Sequence, residues 1–119
     1  MWVKRMSAAA RRRSTDAIFK GSVERQGVVG DEVSKQLYVG EITFKDGGAN
    51  KWHVHTSDQI LVITAGEGIV ADEHEERQVS EGDVAFIPAN TKHWHGARPG
   101  KDMTHLAILA GGKTTIVED

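Results

Sequence analysis

A chain of 119 residues with no Cys, 13 Gly and 2 Pro falls within the size of one domain, long enough to bury a core without disulfide staples. The lack of Cys excludes thiol chemistry and thiolate metal sites, so any metal must be held by nitrogen and oxygen. Lys and Arg number 15 against 17 Asp and Glu, a net charge of -2, and the apolar runs are too short to cross a bilayer, so no membrane contact is expected.

The charge is unevenly spread. Residues 1–25 carry seven cations and two anions, while the rest carries eight and fifteen. The run Arg11-Arg12-Arg13 reads as part of a solvated, flexible basic segment over residues 1–16, because no apolar stretch of signal length follows it. The acidic remainder, residues 17–119, reads as one domain that does not bind nucleic acid, and the expected location is the cytoplasm.

From residue 17 the chain is written in short alternating runs cut by Gly, Asp, Asn and Pro, with no apolar stripe at helical spacing. An edge strand lying outside the main body is expected at residues 19–23. Further strands are predicted at 37–44, 51–55, 59–65, 69–71, 77–79, 84–88, 93–97 and 103–109. Turn residues separate them at 45–48, 66–68, 80–83, 89–92 and 99–100. So many short strands at close spacing predict an all-β barrel or sandwich.

The histidines carry the chemistry. Composition alone predicts about 0.3 His-x-His triplets in such a chain, yet there are two, His53-Val54-His55 and His93-Trp94-His95. In an extended strand, residues i and i+2 share a face, so each pair can aim two imidazoles into one space. Gln59 begins the next strand with Leu61 and Ile63 on its face, where it either offers a neutral oxygen beside the first pair or serves as a buried amide bonded to a neighbour. Trp52 and Trp94 have the opposite parity, which assigns them to packing outside the barrel or at a subunit contact. His74, within Asp72-Glu73-His74-Glu75-Glu76, reads as a solvated loop residue.

These residues resemble the two motifs of the cupins. Gly47, His53, His55, Gln59 and Gly66 stand at the spacings of the first, with Gln where the family more often has Glu. Gly82, Pro88, Asn90 and His93 follow the second, with Asn90 where Gly is common and Ala97 where Asn is common. The resemblance implies a double-stranded β-helix, or jelly-roll, barrel, and a metal held by His53, His55, Gln59 and His93.

A narrower likeness is to the small single-domain cupins described as carboxymuconolactone-decarboxylase-associated or hydroxynitrile-lyase-like. It rests on Trp52-His53-Val54-His55, the stretch from Gln59 to Gly66, Lys92-His93-Trp94-His95-Gly96-Ala97 and Met103-Thr104-His105-Leu106-Ala107-Ile108. Some members are metal-dependent lyases, typically with manganese, that cleave or form cyanohydrins. The resemblance therefore implies a lyase acting on a small hydroxy or carbonyl compound. The donor types themselves admit Mn, Fe, Co, Ni or Zn without selecting among them.

On this reading His105, with His95 nearby, moves the substrate proton, as an imidazole of ordinary pKa, ~6.5, can near neutrality. The plainer role for His95 is to orient a ligand or form the pocket wall, and for His105 that of a structural inward side chain. One departure bears on substrate: Leu109 stands where lyase-like members often have Gln. Two readings of other classes stand beside the lyase, a noncatalytic module that binds metal or a small ligand and an O2-dependent oxygenase. The expected partners are a small-molecule substrate and a second copy of the chain, paired through residues 18–29.

Overall fold

Period-two burial runs along the strands: Gln59, Leu61 and Ile63 turn inward while Ile60 and Thr64 face out. The computed structural model describes residues 1–118 and is all-β. A short 3-10 turn at Ala8–Ala10 precedes ten strands. They are β1 Arg12–Arg13, β2 Phe19–Val29, β3 Leu37–Asn50, β4 His53–His55 and β5 Gln59–Asp72. Then follow β6 Glu76–Ser80, β7 Val84–Ile87, β8 His93–Ala97, β9 Met103–Ala110 and β10 Thr114–Ile116. No helix among the described residues is long and apolar enough to cross a membrane.

Antiparallel pairing gives the order β1-β2-β3-β9-β5-β8-β4-β10, and β3 also meets β8 where Ala49 stands opposite Gly96. Strands β9 and β8 thus lie end to end between β3 and β5, and the bends in those long strands curl the sheet into a barrel. Strand β5 is its spine, pairing with β9 and β8 along one edge and with β7 and β6 along the other. The apolar core is Val23, Ile42, Phe44, Ile63, Ala97 and Met103, with Phe19 set edge-on to Phe44. Phe44 is where this core meets the histidines, 5.3 Å from the ring of His105 and 5.9 Å from that of His95 between centroids.

Two of the expected turns are bends within continuous strands. In β3, residues 46–48 bulge opposite Gly21, because Lys45 pairs with Ser22 and Ala49 with Lys20. Asp46 and Gly47 take φ of 46° and 77° there. In β5 the register slips between Ile63 and Ala65, and Gly66 follows at φ 78°, where a Cβ would lie 2.0 Å from the carbonyl oxygen of Asp102. The expected strands at 59–65 and 69–71 are thus one strand, bent so that the sheet can curl. The Gly and Asp residues that signal turns in sequence serve here as barrel corners.

The expected edge strand at 19–23 extends to Val29 and pairs along β3. Two strands, β1 and β10, have no counterpart in the sequence reading. Arg12 and Arg13 pair with Arg25 and Glu24 of β2. Arg11 Nε donates to Glu41 Oε1 at 2.7 Å, and Gln26 Nε2 donates to the same oxygen at 2.7 Å and to the Ser7 carbonyl at 2.9 Å. Glu41 is buried, and the Arg11 guanidinium holds its carboxyl below the usual range against the opposing effect of burial. Arg11 therefore has a buried partner, while Arg12 and Arg13 remain exposed.

Candidate metal centre

Strand β4 is only three residues long, and both its ends are buried histidines. Strand β8 presents His93 and His95 in the same way, and His53 stands directly opposite His93 in the β4–β8 register. The donor nitrogens of His53, His55 and His93 lie within 4.8 Å of one another. Gln59, the first residue of β5, is buried beside them with Oε1 3.2 Å from His93 Nε2.

Backbone carbonyls fix two of the rings. His53 Nδ1 donates to the Lys51 carbonyl at 2.7 Å and His93 Nδ1 to the Thr91 carbonyl at 2.8 Å. A carbonyl can only accept, so the proton sits on Nδ1 and Nε2 keeps its lone pair. The third ring differs: His55 Nδ1 lies 2.7 Å from Thr114 Oγ1 on β10.

This donor set fits a divalent cation. With Nε2 of His93 bare, the 3.2 Å approach of Gln59 Oε1 sets two acceptors face to face. Turning the amide would satisfy His93 but not His55, whose buried Nε2 has no partner. One cation answers both needs. Burial first, then the neighbouring imidazoles, push His53 down to about 3 and His55 down to about 4. Burial also lowers His93. All three are neutral at pH 7, the form that ligates metal.

His95 shares the inward face of β8, with its ring 5.6 Å from His53 and 5.7 Å from His93 between centroids. His105 stands behind it on β9, fully buried, with Nε2 3.0 Å from His95 Nδ1. The outer nitrogens of this pair, His95 Nε2 and His105 Nδ1, are buried without partners. Burial lowers His105 to about 4 and His95 well below its ordinary value, the latter with help from His105 and the triad. The expected proton exchange near 6.5 is therefore corrected, because both rings are neutral at pH 7.

A cavity of about 430 Å³ reaches His55, Gln59, His95 and His105 together and is walled on one side by Leu109. Leu109 stands opposite Gln59 in the β5–β9 register, so the wall there is apolar. His74 is exposed on the loop after β5 and belongs to no part of this cavity. Trp52 lies outside it as well, half-buried with Lys92 Nζ 5.3 Å from its ring centroid.

Among the residues of this cavity that sequence reasoning overlooked are Thr114 and Asn50. The β-branched run Thr114-Thr115-Ile116 after Gly111-Gly112 is a strand signal that could have located the first. Asn50 is buried with Oδ1 unpartnered, and its place follows from the bulge in β3, which no local pattern announces.

Comparison with known proteins places this geometry among relatives. Residues 40–109 match the family described as Cupin domain. The (R)-mandelonitrile lyase of Granulicella tundricola is 33% identical over 109 residues, 91% of this chain and 83% of that protein. The acireductone dioxygenase of Leptospira biflexa is 41% identical over 49 residues, 38% of this chain and 28% of that one. A solved cupin-like protein from Thermotoga maritima superposes with a TM-score of 0.84 at 28% identity, covering 90% of this chain and 84% of its own. The polyketide cyclase RemF from Streptomyces resistomycificus, at 15% identity and a TM-score of 0.82 over 98% of this chain and 86% of its own, shares the fold alone.

Proposed function

The chain belongs to the cupin family, and from that membership and its cluster of uncharged donors we propose that it is a metal-dependent lyase of the hydroxynitrile-lyase kind, acting on a small hydroxy or carbonyl compound. The observation that carries this reading is the placement of two sites on one cavity. His55 and Gln59 line it together with the neutral His95–His105 pair, and His53 and His93 complete the donor set beside His55 and Gln59. The mandelonitrile lyase relative supports the same reaction class.

A bound divalent cation, manganese first among the candidates, would supply Lewis acidity undiminished by any carboxylate ligand. The chain's own groups do the rest. Nδ1–H of His95, donated to His105 Nε2, leaves His95 Nε2 free to accept the hydroxyl proton of a cyanohydrin. As that proton leaves, the carbon–oxygen double bond forms, the bond to the nitrile carbon breaks, and its electron pair departs with cyanide. Leu109 offers an apolar wall to the substrate's hydrocarbon part. The working unit in this proposal is a homodimer located in the cytoplasm.

The likeness to acireductone dioxygenases supports a second reading, an O2-dependent oxygenase using the same donors. An assay of the Mn2+-loaded protein on mandelonitrile, followed by release of benzaldehyde and cyanide with and without O2, decides between them. Turnover independent of O2 and lost in His93→Ala is expected. Turnover that requires O2 would favour the oxygenase, and tight binding of mandelonitrile without turnover would make the protein a binding module.

A further inference from the structure

We propose that Thr114 is a positioning residue for His55, and that β10 is a clasp whose docking and whose metal retention stabilise each other. The inference rests on the metal reading above and concerns what holds the ligands in place.

Two of the three imidazoles sit on β4, which is short and weakly held on one side. Its register with β8 consists of the single pair His53–His93. On its other edge β10 supplies three pairs, Thr114 with His55, Thr115 with Val54 and Ile116 with His53. Bonds beyond the ladder extend this grip. Thr56 N donates to the Lys113 carbonyl at 3.0 Å, Lys113 N to Thr56 Oγ1 at 2.8 Å, and Val117 N to the Trp52 carbonyl at 2.9 Å. Trp52 N donates to Glu118 Oε1 at 3.0 Å, and Glu118 also pairs with Lys20.

The clasp is nevertheless peripheral. All three residues of β10 are exposed, β10 ends the strand order, and Gly111 and Gly112 precede it. Few apolar contacts hold such a strand, so its opening is expected to require far less than global unfolding.

The chemistry of Thr114 links this strand to the metal. His53 and His93 are bonded to carbonyls, which permit one tautomer, whereas His55 is bonded to a hydroxyl that can accept or donate. When Thr114 Oγ1 accepts from Nδ1–H, Nε2 carries a lone pair and can ligate. When the hydroxyl donates to Nδ1, the ring proton moves to Nε2 and the ligand is lost. A cation selects the first state, and by linkage whatever favours that state favours the cation equally.

The test compares wild type with Thr114→Val, Thr114→Ser and, as a control on the same strand, Thr115→Val. In metal-free protein, 15N shifts of the His55 ring should report Nδ1–H in wild type and Thr114→Ser, and a mixture of tautomers in Thr114→Val. Titration with Mn2+ should show Thr114→Val weaker by about 10- to 100-fold, the usual loss for an outer-shell partner, while Thr114→Ser and Thr115→Val remain near wild type. Amide exchange at Val117 and Thr56 should slow on Mn2+ binding, less so in Thr114→Val. Wild-type tautomer and affinity in Thr114→Val would overturn the proposal. Failure of wild type itself to bind Mn2+ would remove the metal reading and the coupling with it, and the metal-free tautomers would still decide whether Thr114 positions His55.

Discussion

Nε2 of His105 stands 3.0 Å from Nδ1 of His95 in the closed interior of the barrel, with the ring of Phe44 packed against both. One proton lies between two neutral rings, and its location sets the character of the nitrogen at the far side. On His95 Nδ1 it leaves His95 Nε2 a base; on His105 Nε2 it leaves His95 Nε2–H a donor. A reversible lyase needs both characters in turn: a proton taken up at His95 Nε2 leaves one positive charge on the pair, since His105 Nδ1 has no partner to carry a proton away, and that costly buried charge is discharged when the proton passes to the departing cyanide.

Removal of His105 should therefore cut turnover and spare the metal. At full Mn2+ content, His105→Ala is expected to lose ~10²- to 10⁴-fold in kcat, the range of a general acid–base contribution. Because His105 is fully buried against Phe44, His105→Ala also opens a cavity. His105→Gln, which fills more of that space and can still bond His95, separates the two effects. Steady-state kinetics with metal content measured on each variant check this, and unchanged kcat in both would end the role of the pair in catalysis.

One equivalent of a divalent first-row metal per chain is expected, with occupancy sharply lowered by His53→Ala or His93→Ala. Either change leaves an incomplete set of donors around the same point. His74→Ala, on its exposed loop, should leave occupancy unchanged. Elemental analysis of the purified variants is the measurement, and full occupancy in both ligand variants would displace the site.

Much of this centre was legible because strand parity is a local property. His53 with His55, and His93 with His95, share faces by the geometry of an extended chain, and the family spacing placed Gln59 with them. The fold class followed from the same alternation. What could not be read was set by contacts distant in sequence. Asp46-Gly47-Gly48 and Gly66 carry turn chemistry, and only the approach of Gly21 to Gly48 and of Asp102 to Gly66 makes them bends in unbroken strands. Arg11 is basic and near a terminus, so sequence gives it to solvent, yet a buried carboxylate at Glu41 holds it. The burial that lowers the pKa of His105 is likewise a property of the closed barrel, not of β9.

Acid should destabilise the protein well above the carboxylate range. His53, His55, His93, His95 and His105 are all lowered in the fold, chiefly by burial. Unfolded, each titrates near 6.5 and takes up a proton that the folded form refuses down to about 4 at His55 and His105. Stability is thus fully present above about 6.5 and falls with pH through that window, by up to about 1.4 kcal/mol per pH unit for each histidine. Thermal melts of metal-free protein should shift downward by up to roughly 20–30 °C between pH 7.5 and 5.5 if all five rings stay neutral in the fold. A midpoint flat across that interval would mean the imidazoles are not held neutral by burial.

The proposed dimer is best placed on the outer face of β9–β5–β7. Ile60 stands between Phe86 and Ile108 in register, and Val62 between Val84 and Leu106, an apolar ladder with no charged side chain in it. Val84 and Phe86 are 65% and 59% exposed. Along the edge expected from residues 18–29, β1 pairs with Glu24 and Arg25. A two-fold contact through this face would bury the same apolar residues of both copies. Sedimentation should give a dimer at micromolar concentration for wild type and a monomer with an intact barrel for Phe86→Glu. A monomeric wild type would overturn the dimer.

Leu109 puts an aliphatic side chain opposite Gln59 at the edge of the cavity. The hydroxynitrile-lyase-like resemblance leads to the expectation of Gln there, so Leu109 leaves the cavity wall without a polar group at that place. Weak wild-type activity on mandelonitrile is expected as a consequence. Leu109→Gln restores a donor and an acceptor on the same face of β9 as His105, and the half-buried site allows the amide to be solvated when no substrate is bound. One hydrogen bond gained in the transition state is worth about 0.5–1.5 kcal/mol, or roughly 2- to 13-fold in kcat/KM. Kinetics on mandelonitrile at matched Mn2+ content would show that gain. A loss in Leu109→Gln, with metal retained, would instead mean that the apolar wall is what the substrate needs, and that the natural compound presents hydrocarbon to Leu109.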